Sequence, residues 1–239
     1  MTVVFALLIV GAYLLGSVPA AYLVAKWSRG VDLRKYGSGN VGAANLLKLA
    51  SRRVAIPAII FDVAKGMVMV WAAQLVGLGI AQQVTVGVAT IVGHNWPVFL
   101  RFSGGRGVLT TLGIAFILVP KLALVLTIIA FAFLPFGQFA IGTLGAVTLL
   151  PIASWFSSTP IISWLFVQPL GINERLPVTL GFLAIFIIVV IRRLTAPRTS
   201  VTTSVSQGQL FINRLLFDRD IRDREAWIHR APPEQQEKG

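Results

Sequence analysis

The sequence predicts an all-α protein: a polytopic integral membrane bundle of about seven transmembrane helices, N-terminus outside and C-terminus cytoplasmic. Three observations predict it. Of 239 residues, 56% are hydrophobic and only 13% are charged, and mean hydropathy is +0.80; a water-soluble domain of this size needs more polar surface. The apolar residues gather in runs near the ~20 residues that a helix needs to cross a bilayer, where every backbone group must be satisfied inside the element. Strict apolar/polar alternation is absent, which argues against a membrane β-barrel.

The runs are 3–25, 54–78, 80–100, 107–119, 121–135, 138–156 and 177–191. The first lacks a positive leading segment and a small-residue cleavage site, so it reads as a retained span. The fourth and fifth are short, and Pro120-Lys121 between them fits either a tight turn or a break in one longer helix. Six spans is therefore the rival count, and charge decides between the two. Segment 26–53 carries Lys26, Arg29, Arg34, Lys35, Lys48, Arg52 and Arg53 against Asp32 alone. Arg101 and Arg106 follow, and the chain from Arg192 onward adds Arg192, Arg193, Arg198, Arg214, Arg219, Arg222, Arg224, Arg230 and Lys238. Seven spans put all of these on one face, leaving only Lys65, Lys121 and Arg175 elsewhere; by the positive-inside tendency that face is cytoplasmic.

The net charge of +12 raises nucleic acid as a partner. Basic juxtamembrane loops that orient the chain and meet anionic lipid explain it better, so no nucleic-acid partner is expected. The chain has no cysteine, which removes disulfides, thiol nucleophiles and cysteine metal sites. Three regions result: a membrane domain over 1–193, a Ser/Thr-rich linker over 194–208, and a basic tail over 209–239. Within the tail, Leu210, Phe211, Leu215 and Leu216 precede alternating Arg and Asp, the pattern of an amphipathic helix on a membrane surface. The last residues, APPEQQEKG, are expected to be disordered.

The stretch YGSGNVGAANLL over 36–47 contains Gly37-x-Gly39-x-x-Gly42, a dinucleotide-binding spacing, with Asp62 twenty residues beyond Gly42. That fingerprint works only where a strand feeds a helix. No strand precedes Gly37, and Asp62 lies in an apolar run, so this reading fails. Glycines still let successive amides converge on an anion. Ser38, Asn40 and Asn45 add neutral hydrogen bonds, and Lys48 adds charge. The plain alternative is a flexible connection, since loops favour Gly, Ser and Asn. A second turn, Gly104-Gly105-Arg106-Gly107, opens the fourth span on the same face. A helix start offers unpaired N–H groups and Arg106 a fork-shaped cation. Two such turns suit a phosphate ester carrying a lipid chain.

Asp62-x-x-Lys65 lies about three turns into the second span. Residues three apart share a helix face and can neutralise one another; ionisable groups at membrane depth usually line a functional cavity. Lys65 would face the phosphate with Asp62 positioning it, or the two would form a structural ion pair. His94 ends an apolar run, where packing is the more common role of a lone histidine.

Taken together, these residues resemble the PlsY-type glycerol-3-phosphate acyltransferases of bacterial membranes. The resemblance rests on Gly16-Ser17-Val18-Pro19, Gly37-Ser38-Gly39-Asn40-Val41-Gly42-Ala43-x-Asn45, Asp62-x-x-Lys65-Gly66, Gly93-His94-x-x-Pro97-Val98-Phe99 and Gly104-Gly105-Arg106-Gly107-Val108. It covers residues 11–111 well and the remainder weakly. It implies a seven-helix bundle of the bacterial inner membrane with cytoplasmic active-site loops. The implied reaction moves an acyl group from acyl-phosphate to the 1-hydroxyl of glycerol 3-phosphate, giving lysophosphatidic acid and phosphate, with no metal or coenzyme A. Ser38, Lys48 and Arg106 would be catalytic. Gly37, Gly39, Asn40, Gly42, Asn45, Lys65, Gly104, Gly105 and Gly107 would hold substrate phosphate.

The chain departs from the family pattern. Lys48 stands where the family has arginine, Arg106 where it has lysine, Ala44 where threonine and Ser103 where lysine are usual. The loop before the sixth span has Ala140 and Thr143 where serines are expected, and no arginine. After the last span the family's His-Arg-x-Asn motif is missing; Arg192-Arg193 stand there, and Asn213-Arg214 follows about twenty residues later. The donor half thus reads as intact and the acceptor half as eroded. Two other readings stay open: a non-catalytic relative that binds a phosphorylated lipid, and a small transporter suggested by Asp62 and Lys65.

Overall fold

A computed structural model describes residues 1–36, 39–167, 170–197, 202 and 205–228. Among the described residues eleven α-helices follow one another: α1 Thr2–Gly16, α2 Ala20–Arg29, α3 Ala43–Leu49, α4 Arg52–Leu75, α5 Ile80–Asn95, α6 Val108–Leu118, α7 Pro120–Ala132, α8 Phe139–Trp155, α9 Ile172–Leu194, α10 Gln207–Phe217 and α11 Arg224–Ile228. Among the described residues there is no strand. Every apolar run of the sequence contains a helix, and three segments, Thr2–Arg29, Arg52–Leu75 and Ile172–Leu194, are long and apolar enough to cross a membrane.

The first of these segments is broken. Pro19 has no N–H to donate and its ring crowds the preceding turn, so α1 stops at Gly16 and α2 resumes at Ala20. Ser17 Oγ turns back to donate to the Tyr13 carbonyl at 2.8 Å. The carbonyls freed by the break are taken up from another helix: Lys65 Nζ on α4 donates to Gly16 O at 3.1 Å and to Val18 O at 3.4 Å.

Small residues let the backbones approach. A methyl added to Gly16 would strike the Thr90 carbonyl and one on Gly93 the Tyr13 carbonyl, so α1 and α5 meet through reciprocal glycines. Gly66 against Thr110 and Gly113 against Val63 join α4 to α6 in the same way. This is the small-residue packing on which helices rely in lipid, where burying apolar surface gives little drive. Around the outside, Leu7, Val10, Ile60, Leu75, Ile128 and Leu180 are exposed, a surface suited to the hydrocarbon of a membrane.

The chain reverses between α6 and α7. Val119 leaves helical geometry at φ −144°, ψ 63° and Pro120 starts α7. Val108 and Leu109 from the start of α6 line the same apolar cavity as Ala130 and Phe131 from the end of α7. The two helices are therefore an antiparallel hairpin, the geometry of a tight turn at Pro120-Lys121. Its arms, of 11 and 13 residues, rise only about 17 and 20 Å, less than the roughly 30 Å hydrocarbon core. A core of Ile114, Leu122, Leu126, Leu150, Phe182 and Ile185 packs this hairpin against α8 and α9.

The tail differs from the single amphipathic helix expected within it. It forms α10 and α11, separated by a turn at Asp218, whose φ of 53° ends α10 in the left-handed region. α10 buries Asn213 and Arg214, whereas Phe211 and Ile212 are exposed. Residues 198–201, 203 and 204 of the expected linker lie outside the described residues, as does all of APPEQQEKG, on which the expected disorder falls.

Candidate active site

The first glycine-rich turn is built around Asn45. Its side chain, on α3 and 1% exposed, donates through Nδ2 to the carbonyls of Leu33, Tyr36 and Asn40 at 3.2, 3.0 and 3.1 Å. These carbonyls bracket the turn, so Asn45 organises its backbone. Gly39 has φ 68°, which a side chain resists, and Gly42 caps α3. Lys48 ends α3 and is exposed. Gly37 and Ser38 lie outside the described residues. The lead-in to the turn is pinned by Asp32, which accepts from the Arg34 guanidinium at 2.6 Å. That pairing holds the Asp32 carboxyl below its ordinary value.

The second turn is locked from below by the end of α5. Gly105 N donates to His94 O at 3.2 Å. A methyl on Gly104 would strike the carbonyls of His94 and Asn95, and one on Gly105 would strike the His94 ring. The same methyl on Gly105 would stand 3.1 Å from Val41 O. The two glycine-rich turns, more than sixty residues apart in sequence, therefore meet. Gly107, at φ 78°, starts α6, the helix whose free N–H groups the sequence reading invoked.

Arg106 is 8% exposed. Its Nε donates to Asp218 Oδ1 at 2.6 Å and a terminal nitrogen to Arg192 O at 2.8 Å. Arg192 in turn donates to Gly104 O at 3.0 Å. Arg193 reaches the start of α8, donating to Ala140 O at 3.0 Å and to Thr143 Oγ1 at 3.1 Å, and also to Leu215 O at 2.8 Å. An arginine thus does arrive at Thr143, from α9 instead of from the loop where the family pattern led us to look for one. Below it, Arg214 pairs with Asp220 at 2.7 Å and donates to the carbonyls of Leu194 and Ala196, and Asn213 donates to Asp220 O at 3.0 Å. Asn213 and Arg214 fasten the tail to the end of α9. Burial holds the neighbouring Arg219 guanidinium below its ordinary value.

Asp62, Lys65 and His94 form a separate buried group. Lys65 Nζ lies 2.8 Å and His94 Nδ1 3.5 Å from Asp62 Oδ1. With its remaining hydrogen bonds on Gly16 O and Val18 O, the Lys65 ammonium holds the broken first span and is 2% exposed. This is the geometry of the structural ion pair, one of the two readings the sequence allowed. His94 presses on Gly105 and so supports the second turn.

Sequence reasoning did not single out Asp218, Asp220, Arg192 or Arg193 as site residues. A tandem arginine after an apolar run reads as a topology signal, and an aspartate in a polar tail carries no signal of its own. The return of the tail onto the bundle brings Asp218 to Arg106, and the end of α9 brings Arg192 there. Among the described residues, no group of His, Asp and Glu could hold a metal ion.

An all-helical membrane bundle with two convergent glycine turns and clustered guanidinium groups at one end defines an integral membrane protein built to handle an anionic group. The pattern of the glycerol-3-phosphate acyltransferase family matches residues 6–201, and the chain belongs to that family. It is 45% identical over 237 residues to glycerol-3-phosphate acyltransferase 5 of Dehalococcoides mccartyi, covering 98% of each chain. Its fold is similar to the crystal structure of PlsY, an integral membrane glycerol 3-phosphate acyltransferase, in the glycerol 3-phosphate form, with a TM-score of 0.70 at 26% identity over 92% of this chain and 95% of that one. The lysophosphatidic acid form of PlsY gives a TM-score of 0.69 at 25% identity over 95% and 99%.

Proposed function

We propose that the chain transfers an acyl group from acyl-phosphate to the 1-hydroxyl of glycerol 3-phosphate, releasing lysophosphatidic acid and phosphate. The acceptor oxygen attacks the acyl carbon, the bond from that carbon to the phosphate oxygen breaks, and the hydroxyl proton goes to phosphate or solvent. Acyl-phosphate is already activated, so the protein's work is to hold two phosphorylated molecules together and stabilise developing charge. Ser38, Lys48 and Arg106 do this with the amides of both glycine turns. The observation that carries the reading is the meeting of Gly105 with Val41 beside Arg106, together with family membership.

The site faces the cytoplasm of a bacterial inner membrane, with seven apolar segments and the N-terminus outside. The charge bias supports this orientation. It holds whether the α6–α7 hairpin crosses fully or turns within the bilayer, because either way α8 starts on the side where α6 began. Residues 1–193 act as the membrane acyltransferase domain, 194–208 as linker and 209–239 as a basic tail. Incubating the purified protein in lipid with acyl-phosphate and labelled glycerol 3-phosphate tests the reaction. Labelled lysophosphatidic acid with equimolar phosphate is expected, and no product under any lipid condition overturns it in favour of a binding relative.

A further inference from the structure

Residues 156–167 connect α8 towards α9 at the end of the bundle away from the glycine turns, and none of them is charged. Ile161, Trp164 and Val167 are 82%, 65% and 63% exposed, and Phe156 is exposed as well. Large apolar side chains gathered on one exposed segment mark a surface that something apolar covers. The backbone says what kind of surface. A loop in water leaves its polar groups to the solvent, whereas lipid requires them to be paired inside the protein. Here the N–H groups of Thr159, Ile162 and Ser163 donate to the carbonyls of Phe156, Thr159 and Thr159 at 2.9, 3.1 and 2.8 Å, and those of Leu165 and Phe166 to Ile162 and Ser163 at 2.9 and 3.0 Å. Pro160 has no N–H to satisfy. The hydroxyls turn inward too: Thr159 Oγ1 donates to Phe156 O at 2.7 Å and Ser163 Oγ to Pro160 O at 3.4 Å.

The short hairpin leaves room for this segment at bilayer depth. Arg192, near the end of α9, donates to Gly104 O just ahead of α6, so α9 ends at the level where α6 begins. From that level the 23 residues of α9 rise about 34 Å, against about 17 and 20 Å for the hairpin arms. The tip at Val119 and Pro120 therefore stops about 15 Å short of the far end of α9. Phe166, 4% exposed, is buried in the same core as Val119 and Leu122 at that tip, with Ile162 and Leu165 packed against it. One side of the segment thus caps the hairpin, and the other carries Ile161, Trp164 and Val167 outward. At its edge the Arg175 guanidinium lies 6.0 Å from the centre of the Trp155 ring and donates to Ser158 Oγ at 3.1 Å, the pairing of aromatic ring and long cation found at a headgroup boundary. We propose that residues 156–167 form a re-entrant cap that docks into the leaflet opposite the glycine turns, its free face covered by phospholipid acyl chains and its edge held among the headgroups by Trp155 and Arg175.

The absence of cysteine makes the test direct. Ile161→Cys and Trp164→Cys, each in the full chain, are labelled with a nitroxide and reconstituted into vesicles of phosphatidylethanolamine and phosphatidylglycerol. Relaxation of the label by oxygen, which partitions into hydrocarbon, is compared with relaxation by a nickel chelate, which stays in water. Leu7→Cys, on the exposed face of α1, serves as the lipid reference and Arg222→Cys, in the tail, as the aqueous one. Both cap positions are expected to match Leu7→Cys, with oxygen access kept and nickel access lost. Nickel access equal to that of Arg222→Cys makes the segment an aqueous loop and overturns the proposal. Exclusion of both agents, with spectral broadening that disappears when labelled chains are diluted with unlabelled ones, puts a second copy of the chain on this face and overturns it too. Ile161→Asp needs no label: a charge at an exposed position is nearly neutral on an aqueous loop but opposes burial in lipid. A lower Tm in the vesicles is expected, and an unchanged Tm counts against the cap.

Discussion

Asp218 Oδ1 accepts a hydrogen bond from Arg106 Nε at 2.6 Å across 112 residues of sequence. A carboxylate of the tail thus sits on the cation that opens α6. The pair is partly solvated, with 21% of the Asp218 side chain exposed, so the attraction is weakened by screening and remains open to competition. A substrate phosphate approaching Arg106 has to displace this carboxylate or share the guanidinium with it. Asp218→Asn removes the competing charge and keeps the shape. The KM for the phosphate substrate that meets Arg106 is expected to fall several-fold, with kcat little changed. A rise in KM would show instead that the carboxylate orients the fork.

Lys65 carries a different kind of load. Its ammonium neutralises Asp62 and caps two carbonyls at the Gly16–Pro19 break. Lys65→Met leaves a buried carboxylate and two carbonyls without their donor, and breaking a buried pair from one side costs roughly 3–5 kcal/mol. A large drop in Tm is expected. Asp62→Leu combined with Lys65→Met should lose less than the sum of the single changes, because no unpaired charge remains. Additive losses would show that the two side chains act independently.

Gly105 is the point where the two turns meet. An alanine there collides with the His94 ring and presses on Val41 O, and overpacking of this kind typically costs about 1–3 kcal/mol. Because the strain falls between the turns, Gly105→Ala is expected to lower kcat/KM more than Tm. Gly66→Ala is the comparison: it strikes the Thr110 carbonyl at the α4–α6 crossing and should lower Tm while activity per folded molecule persists. Equal effects of both changes on activity would deny the turn junction a special role.

Much of this was legible in the chain because lipid leaves few choices. Runs of apolar residues had to become helices, and each expected run contains at least one observed helix, whereas the short α3 lies between runs. Glycines in clusters before a helix signalled close backbone approach, and Gly105 against Val41 is that approach. What stayed hidden depends on long-range folding. Nothing near Thr143 in sequence announces Arg193, fifty residues away, and nothing near Arg106 announces Asp218. The Asp62–Lys65 spacing gave the pair correctly, but the use of Lys65 was fixed by a proline break on another helix, which spacing cannot show.

Among the groups described at the site, His94 is the one side chain with the chemistry of a neutral base, yet its Nδ1 points to Asp62 at 3.5 Å and its ring supports Gly105. A general base has to come within hydrogen-bond reach of the hydroxyl it deprotonates, and His94, 8% exposed, has its Nδ1 on Asp62 and its ring packed against Gly105. His94→Gln preserves a polar partner for Asp62 while removing any group that titrates near neutrality. The acyl-transfer rate is expected to fall through loss of turn support, with the shape of its pH profile unchanged. Disappearance of an ionisation near neutrality in the variant would assign the proton to His94, and the acceptor phosphate or solvent would then no longer serve as the base.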